Sequence, residues 1–413
     1  MNRSVILSVL DQAMLSAFNL ALNLAFIAYA TPAEFGNLVL VQAGAFFAIS
    51  AQNALIIMPL NYLVPGRAEG EARANLSMLT SVSLLLTLLV TMASFGLSLL
   101  AEADLALFFA ISFYFLTTVQ REYVRNVSIV TGHMARAFRD DAIMAAVSAA
   151  AVVLLWHFVR PEVAALGGMA IGNLAVFIIS RPDLAFVAGR LKAHLSEYRN
   201  VWKETRWALQ GAMQNEVETR SYVFVVEHWR GAATLGTLQA GRIVLSPLML
   251  VANGWRRIAR PRIVADLHRG ERQAVMRTLW LGGAFIGAAT LIYGLALAVA
   301  WPLLDAYVFR QRYEDMQMIV FVWWLYSCVM GFAAVVVTLL EATRQFRMLA
   351  FIGAGVAGTI VLLLAIFALF ELPLISAVLI LTGVHAVEMV IYCILIRRGL
   401  PRIENGAPVA EAV

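Results

Sequence analysis

The segment Arg136-Ala137-Phe138-Arg139-Asp140-Asp141-Ala142 returns 208 residues later as Arg344-Gln345-Phe346-Arg347-Met348-Leu349-Ala350. A second pair, Ala33-Glu34-Phe35-Gly36-Asn37-Leu38 and Ala233-Thr234-Leu235-Gly236-Thr237-Leu238, recurs with a spacing of 200 residues. Short strings can recur by chance in a chain rich in Ala and Leu. Two recurrences at nearly one spacing, however, indicate an internal duplication, which dictates the fold of the whole chain.

The amino-acid composition indicates the environment in which this chain folds. Of 413 residues, 61% are hydrophobic and 14% are charged, whereas soluble domains are about half apolar and a quarter charged. This balance excludes a disordered chain, a nucleic-acid-binding module and a disulfide-stapled secreted domain. The two cysteines, Cys328 and Cys393, lie in apolar stretches, so we expect neither a disulfide framework nor a thiolate metal site. The composition therefore predicts a polytopic membrane protein.

Apolar stretches long enough to cross a bilayer divide the chain regularly. A spanning helix needs about 20 mostly apolar residues, and the first stretch lacks the cleavage site of a removed signal peptide. The fourth and seventh stretches are unusually polar but keep the alternation of the loops intact. The predicted spans are 8–30, 35–63, 76–99, 104–131, 141–160, 163–180, 206–228, 233–254, 279–300, 316–341, 349–370 and 373–396.

The distribution of basic residues tests this count. With the N-terminus inside, 25 of the 31 Arg and Lys residues fall on the cytoplasmic side, four fall outside, and Arg220 and Arg242 remain in the membrane. Short cytoplasmic loops are enriched in Arg and Lys, so both termini are predicted to be cytoplasmic. Each half has six predicted spans, an even number, so the two halves enter the membrane in the same orientation. The predicted fold is all-α, with about 12 transmembrane helices in two parallel-repeat six-helix lobes.

The domain organisation follows from the spans. Residues 1–183 form the predicted N-terminal lobe and residues 206–398 the C-terminal lobe. Between them, residues 184–205 carry apolar side chains at helical spacing opposite basic ones, which is typical of an amphipathic helix on the cytoplasmic surface. Residues 399–413 form a cytoplasmic tail. The external loops are too short to fold as a separate domain.

Ionisable residues inside spans indicate functional sites because they are expensive to bury in lipid. Span seven carries Asn215, Glu216, Glu218 and Arg220, and span eight carries Arg242 at a similar depth. Glu216 and Arg220 are four residues apart, with the acid first, which favours an intrahelical ion pair. Two interpretations stay open. These side chains line a water-filled cavity, or they pair completely and only fix the helices.

The inner half of span four and the start of span one carry further charges. Arg121 and Arg125 share a face of span four, and Glu122 can pair with Arg125. These arginines either face a polar interior or snorkel to the cytoplasmic headgroups. Asp11 in span one either faces that interior or pairs with a nearby arginine at the inner surface.

Motifs for catalysis are absent from the sequence. It contains no HExxH segment, no P-loop, and no Cys and His cluster with the spacing of a metal site. We therefore expect no enzyme activity, no cofactor and no metal. Energy for any transport would come from an ion gradient, the membrane potential or the substrate gradient.

Three loose motifs resemble one superfamily of transporters. They are the turn Thr31-Pro32-Ala33-Glu34-Phe35-Gly36, the run from Gln239-Ala240-Gly241-Arg242 through Pro247 to Pro261-Arg262-Ile263, and the basic segments after spans four and ten. Together with the six-plus-six spans, they are similar to the multidrug/oligosaccharidyl-lipid/polysaccharide (MOP) exporters, in particular the bacterial polysaccharide flippases for O-antigen, capsule and exopolysaccharide units. The resemblance covers nearly the whole chain.

This resemblance implies a function and a set of site residues. The expected activity moves an undecaprenyl-pyrophosphate-linked oligosaccharide repeat unit across the bacterial inner membrane. The expected partners are membrane lipids and polysaccharide-assembly proteins. A cation, H⁺ or Na⁺, would couple the movement. The runner-up is a cation-coupled multidrug antiporter of the same superfamily; a membrane-embedded glycan transferase or scaffold is a third alternative. The expected substrate-binding residues are Arg220, Arg242, Arg121, Arg125, Arg256 and Arg257, and the ion-coupling candidates are Glu216, Glu218, Asn215 and Asp11.

Overall fold

The computed structural model describes residues 3–100, 104–180 and 190–398, and these residues contain helices and no strand. The all-α prediction is confirmed for this part of the chain. The α-helices are α1 (Arg3–Tyr29), α2 (Pro32–Gln52), α3 (Met58–Leu63), α4 (Glu69–Leu100), α5 (Leu105–Val130), α6 (Met134–Leu155), α7 (Pro161–Ser180), α8 (Leu191–Arg230), α9 (Ala232–Val244), α10 (Ser246–His268), α11 (Arg272–Leu303), α12 (Met316–Ala342), α13 (Phe346–Leu369) and α14 (Ile375–Arg398).

Every predicted span coincides with a helix or with helices joined end to end, and the chain is a multi-pass membrane protein. Eight described segments are long and apolar enough to cross a bilayer, and the pair α9 and α10, bent by 50°, makes a ninth. Helices α5, α6 and α8 occupy the fourth, fifth and seventh predicted spans. They fall outside that group because their sequences carry the polar and charged side chains noted above.

Local signals start several helices. Thr31 caps α2: its hydroxyl accepts the amide of Glu34, and the Glu34 carboxylate accepts the amide of Thr31 at 2.7 Å. This reciprocal arrangement is a capping box. Asp104 caps α5 in the same position, accepting the amide of Leu107 at 2.9 Å. The polar turns between spans thus define where the next helix begins.

Three spans are interrupted near a proline. Residues Asn53–Ile57 form a π-helical segment just before Pro59, and Leu304–Phe309 form another just after Pro302. The bend between α9 and α10 falls at Leu245, two residues before Pro247. Proline removes one backbone donor and crowds the preceding turn, so helices bend or widen at such places.

Contact clustering divides the chain into two compact units, Met1–Gly236 and Thr237–Val413. The segment 184–205, predicted to be a separate surface helix, has its described part, from Leu191 onward, inside the continuous 40-residue helix α8, which also forms span seven. The first unit therefore contains all of α8 and the start of α9. The Tyr198 hydroxyl anchors the first half of α8 by donating to the Leu55 carbonyl oxygen at 2.6 Å, and burial raises the pKa of this phenol. Residues 184–189 and the tail 399–413 lie outside the described residues.

Small residues allow close helix packing in the first unit. Gly168 and Gly172, one turn apart on α7, face α6. A Cβ on Gly172 would lie 2.0 Å from the Ser148 hydroxyl oxygen, and one on Gly168 would lie 2.5 Å from a methyl carbon of Val152. This spacing of small residues is a common way to bring two membrane helices together, because it allows backbones to approach closely.

The repeated turns at Gly36 and Gly236 meet directly. A Cβ on Gly36 would lie 1.8 Å from the Ala232 carbonyl oxygen, and a Cβ on Gly236 would lie 1.9 Å from the Pro32 carbonyl oxygen. The starts of α2 and α9 therefore touch backbone to backbone. Both glycines belong to the repeat found in the sequence, and the close contact explains why neither position carries a side chain.

Candidate functional site

The polar cluster of span seven is built around one carboxylate. Glu216 on α8 is buried, and its two oxygens accept hydrogen bonds from different partners. The Arg220 Nε donates to one oxygen at 2.7 Å, and the Ser50 hydroxyl of α2 donates to the other at 2.7 Å. The ion pair expected from the four-residue spacing is confirmed. The cluster links α8 to α2.

Arg220 also stacks on an aromatic ring. Its guanidinium carbon lies 3.7 Å from the centroid of the Phe46 ring on α2, and its side chain is 22% exposed. A cation over a ring face is stabilised by the ring quadrupole. Arg220 is thus held flat between a carboxylate and a ring while part of its surface stays accessible, an arrangement suited to contact with a planar or anionic group.

The neighbouring polar residues of α8 point in different directions. The Gln214 side-chain amide donates to the Glu218 carboxylate at 3.1 Å, and both side chains are partly buried. Asn215 is exposed, and its backbone carbonyl accepts the Thr219 hydroxyl. Two acids, Glu216 and Glu218, therefore accompany one arginine on this stretch of helix.

A second cluster joins α1, α5 and α6 near one end of the first unit. Asp141, whose side chain is 1% exposed, accepts hydrogen bonds from Arg121 and from the Arg125 Nε, the latter at 2.6 Å. The other end of the Arg125 guanidinium donates to Asp11 at 2.6 Å. Asp11 is equally buried, at 1%. One carboxylate on each of two helices is therefore bound to arginines of a third.

The charges in this cluster do not balance. The Glu122 carboxylate lies 3.7 Å from Arg125, so with every group ionised three carboxylates (Asp11, Glu122, Asp141) face two guanidiniums. One oxygen of Asp11, Oδ1, is buried and has no hydrogen-bond partner among the residues that the structure describes. The structure thus supports the interpretation that Asp11 pairs with a nearby arginine, and it shows Arg121 and Arg125 engaged with acids instead of reaching for lipid headgroups.

In the second unit, Arg242 lies against a buried tryptophan. Its guanidinium carbon is 5.4 Å from the centroid of the Trp323 ring, and the indole Nε1 donates to the Leu238 carbonyl oxygen at 2.9 Å. The indole is thus fixed by a backbone bond of α9, and α9 also carries the arginine. Gly241 permits this packing, since a Cβ there would lie 2.7 Å from a methyl carbon of Ile319.

The adjacent arginines of α10 have different environments. Arg256 donates to the Glu341 carboxylate of α12 at 2.9 Å, and Arg260 lies 3.6 Å from the same carboxylate. Arg257 is exposed and forms no ion pair with the residues that the structure describes. Arg256 therefore ties α10 to α12, whereas Arg257 is accessible.

Helix α14 carries a polar triad, His385, Glu388 and Tyr392, of which His385 and Tyr392 are buried. His385 Nδ1 lies 2.8 Å from the Glu388 carboxylate, and the Tyr392 hydroxyl donates to the other oxygen of Glu388 at 2.8 Å. His385 is 3% exposed, and its ring meets that of Tyr326 edge to face. The triad satisfies Glu388 within one helix.

The candidate residues thus separate into groups within each unit. In the first unit, Arg220 meets Glu216, and Arg121 and Arg125 meet Asp11; in the second, Arg256 lies near Glu341. Three residues that hold the arginines were not predicted from the sequence: Asp141, Glu341 and Phe46. A signal existed for Asp141, because the first copy of the repeated segment carries an acid where the second copy has Leu349. No group of three or more potential ligands among the described residues could hold a metal ion.

Comparison with known proteins adds to this geometry. No family model matches the sequence, and no curated protein matches it. Solved structures do match: a multidrug resistance MATE family transporter of the MOP superfamily in an inward-facing conformation has a TM-score of 0.64 and 12% identity, covering 96% of this chain and 98% of that one.

Two further structures extend the likeness. The lipid II flippase MurJ in an inward closed conformation has a TM-score of 0.71 and 14% identity, covering 96% of this chain and 88% of that one. The MATE transporter ClbM in complex with Rb⁺ has a TM-score of 0.56 and 13% identity, with coverage of 97% and 94%. The sequence identities are low, but the TM-scores and the nearly complete coverage of both chains establish the fold. The chain therefore has the fold of the MOP-superfamily transporters.

Proposed function

We propose that this protein is a flippase that moves a lipid-linked oligosaccharide, carried on undecaprenyl pyrophosphate, across the bacterial inner membrane by alternating access. The observation that carries the proposal is Arg220, a partly exposed guanidinium held by Glu216 and Phe46 in a span. A guanidinium forms paired hydrogen bonds with phosphate oxygens. A fold shared with a lipid II flippase supports the same class of substrate.

The remaining candidates take roles around this group. Arg242, stacked near Trp323, is the second proposed substrate contact. Arg257 is accessible for a first contact at the cytoplasmic mouth, while Arg121, Arg125 and Arg256 would have to exchange an acid for the substrate. That exchange is costly for buried pairs, so we rank these three below Arg220.

Coupling to a cation has a candidate site in the first unit. The cluster of Asp11, Glu122 and Asp141 carries one acid more than its two arginines neutralise, and within the described part of the chain Asp11 Oδ1 has no partner. A proton on Asp11 would balance this charge and would give its carboxyl a hydrogen to donate. Glu216, Glu218 and Asn215 form the alternative coupling set on α8.

A cation-coupled multidrug antiporter is the second candidate function. Its support is specific: Glu216 and Glu218 both lie within one turn of Arg220, so the stretch is not net positive and could accept a cationic drug. Two of the similar structures are MATE transporters, one of them bound to Rb⁺. The two functions differ in the charge of the substrate, so one experiment can separate them.

The test uses the source bacterium with the gene deleted and then restored on a plasmid. A flippase predicts that deletion removes a surface polysaccharide and leaves lipid-linked units inside. Because a charged hydrogen bond contributes about 1.5–3 kcal/mol, Arg220→Ala and Arg242→Ala should each lower transport by about tenfold or more at equal expression. Arg206→Ala, an exposed position on the same helix, is the matched control and should restore the polysaccharide.

The opposite result is equally clear. Unchanged surface polysaccharide together with increased sensitivity to cationic drugs would overturn the flippase and favour the antiporter. Full activity of both arginine variants would remove the proposed substrate contacts even if the flippase assignment holds.

A further inference from the structure

A groove runs between α10 and α11 in the second unit. Its volume is about 880 Å³, within the range of sites that hold lipid- or drug-sized molecules. Its walls are mainly apolar, with Leu250, Trp255, Ile258, Leu281 and Phe285 among them. The Trp255 indole lies directly over Gly282, where a Cβ would come within 2.2 Å of the ring. The Trp255 side chain therefore packs against α11 and forms the base of the groove.

The walls of the groove carry exposed apolar side chains. Ile258 is 77% exposed, Leu281 61% and Phe285 55%. In a spanning protein, large apolar side chains with this exposure belong against acyl chains, because no water-facing surface of a soluble protein carries such a contiguous patch at low cost. The occupant of the groove must therefore be compatible with lipid along most of its length.

One end of the groove is strongly basic. Arg262 on α10 and Arg277 on α11 line it together with Gln273 and Thr278. Both arginines are exposed and neither forms an ion pair with a residue that the structure describes. They contrast with Arg256 and Arg260, which share the Glu341 carboxylate. Two uncompensated guanidiniums beside polar donors fit a phosphate group.

The groove runs from the cytoplasmic surface into the bilayer. Arg262 lies seven residues before Arg269, where the α10–α11 turn starts, and Arg277 lies six residues after Glu271, where the turn ends, so both stand about 10 Å from it. From Arg262 to Leu250 the groove extends about 18 Å along the helix, and its far end, from Gly254 to Leu250, lies within predicted span eight. The distribution of basic residues places this end on the cytoplasmic side, where anionic lipids concentrate.

We propose that the groove between α10 and α11 binds an anionic phospholipid of the cytoplasmic leaflet. The lipid phosphate contacts Arg262 and Arg277, and an acyl chain lies along Trp255 and Phe285 toward Leu250. Basic pockets between membrane helices on this side hold such headgroups. The proposal is independent of which substrate the protein transports.

Native mass spectrometry of the purified full-length protein tests the headgroup contact. The protein is offered phosphatidylglycerol and phosphatidylcholine with identical chains. Each arginine near the surface favours the anionic lipid by about fivefold, so the wild type should retain phosphatidylglycerol more than tenfold over phosphatidylcholine. The double variant Arg262→Gln/Arg277→Gln should lose this preference. Arg272→Gln/Arg347→Gln removes the same charge outside the groove and should keep it.

A second variant tests the apolar part without touching the arginines. A Cβ at Gly254 meets nothing within 4 Å, and Gly254 lines the groove. Gly254→Leu should fill it and reduce retention of both lipids at least threefold. Gly283→Leu is the control, because Gly283 has the same open space but does not line the groove.

Three outcomes would overturn the proposal. The first is a phosphatidylglycerol preference that survives Arg262→Gln/Arg277→Gln. The second is displacement of phosphatidylglycerol by an equal concentration of undecaprenyl phosphate, which would make the groove part of the substrate path. The third is a dimer in the wild type that Gly254→Leu abolishes, which would make the groove an interface between two copies.

Discussion

Asp141 is the residue whose replacement should damage the first unit most. The change Asp141→Asn keeps the shape of the side chain but removes its charge. Asp141 accepts charged hydrogen bonds from both Arg121 and Arg125, and its side chain is 1% exposed. At about 1.5–3 kcal/mol for each charged bond, the loss is about 3–6 kcal/mol. Breaking a buried ion pair by removing one partner costs about 3–5 kcal/mol, which agrees.

The assay is the apparent melting temperature of the detergent-purified protein, measured at one heating rate because membrane proteins unfold irreversibly. A destabilisation of 1 kcal/mol lowers the midpoint by about 2–4 °C in a unit of this size, so a loss of about 3–6 kcal/mol in Asp141→Asn should lower it by about 6–24 °C. Asp11→Asn, which resembles the protonated form of Asp11 proposed above, should have less than half the effect. Glu122→Gln is the control, since that side chain is 21% exposed and lies 3.7 Å from its partner.

A melting temperature for Asp141→Asn within 2 °C of the wild type would refute the reasoning, as would equal shifts for Asp141→Asn and Glu122→Gln. A double-mutant cycle refines the test. Because each single change leaves a charge unpaired, Asp141→Asn combined with Arg121→Gln should cost less than the sum of the two separate changes.

Other positions give shorter tests by the same melting assay. Gly172→Ala should lower the midpoint by several degrees because its Cβ would lie 2.0 Å from a hydroxyl oxygen, whereas Gly283→Ala, with open space, should leave it within 1 °C of the wild type or raise it. Glu341→Gln should lower it by about 2–6 °C, because one carboxylate serves two arginines whose heads are only partly buried. Trp323→Phe removes a buried indole donor and should cost about 1–3 kcal/mol; an unchanged midpoint would contradict that role.

The positions of the helices were predictable from the sequence, because apolar length and basic loops are local properties. The ion pair of Glu216 with Arg220 was predictable for the same reason: helical spacing alone brings residues four apart together. The contacts of Asp141 and Glu341 were not, because they join different helices. Such contacts depend on how each helix is rotated about its axis, and single-sequence patterns leave that rotation open.

The predicted linker, residues 184–205, shows a second limit on what the sequence can predict. Its apolar and basic residues predicted an amphipathic helix, and residues from Leu191 onward are helical. The pattern could not say where that helix would stop. Between Leu191 and Gln210 the sequence contains neither Pro nor Gly, so nothing local ends the helix before span seven begins. Continuity is the physical default in such a stretch.

The contact between Gly36 and Gly236 has a consequence for how this sequence can change over time. Each glycine is confined mainly by the backbone of the residue that precedes the other repeated segment, Ala232 or Pro32, not by a side chain that could shrink in response. A substitution at one position cannot be compensated at the other, because both are already glycine. The two copies are free to diverge at Asp141 and Leu349, where side chains can be exchanged. At Gly36 and Gly236 any larger side chain would meet backbone atoms, so we expect both positions to stay glycine while neighbouring positions change.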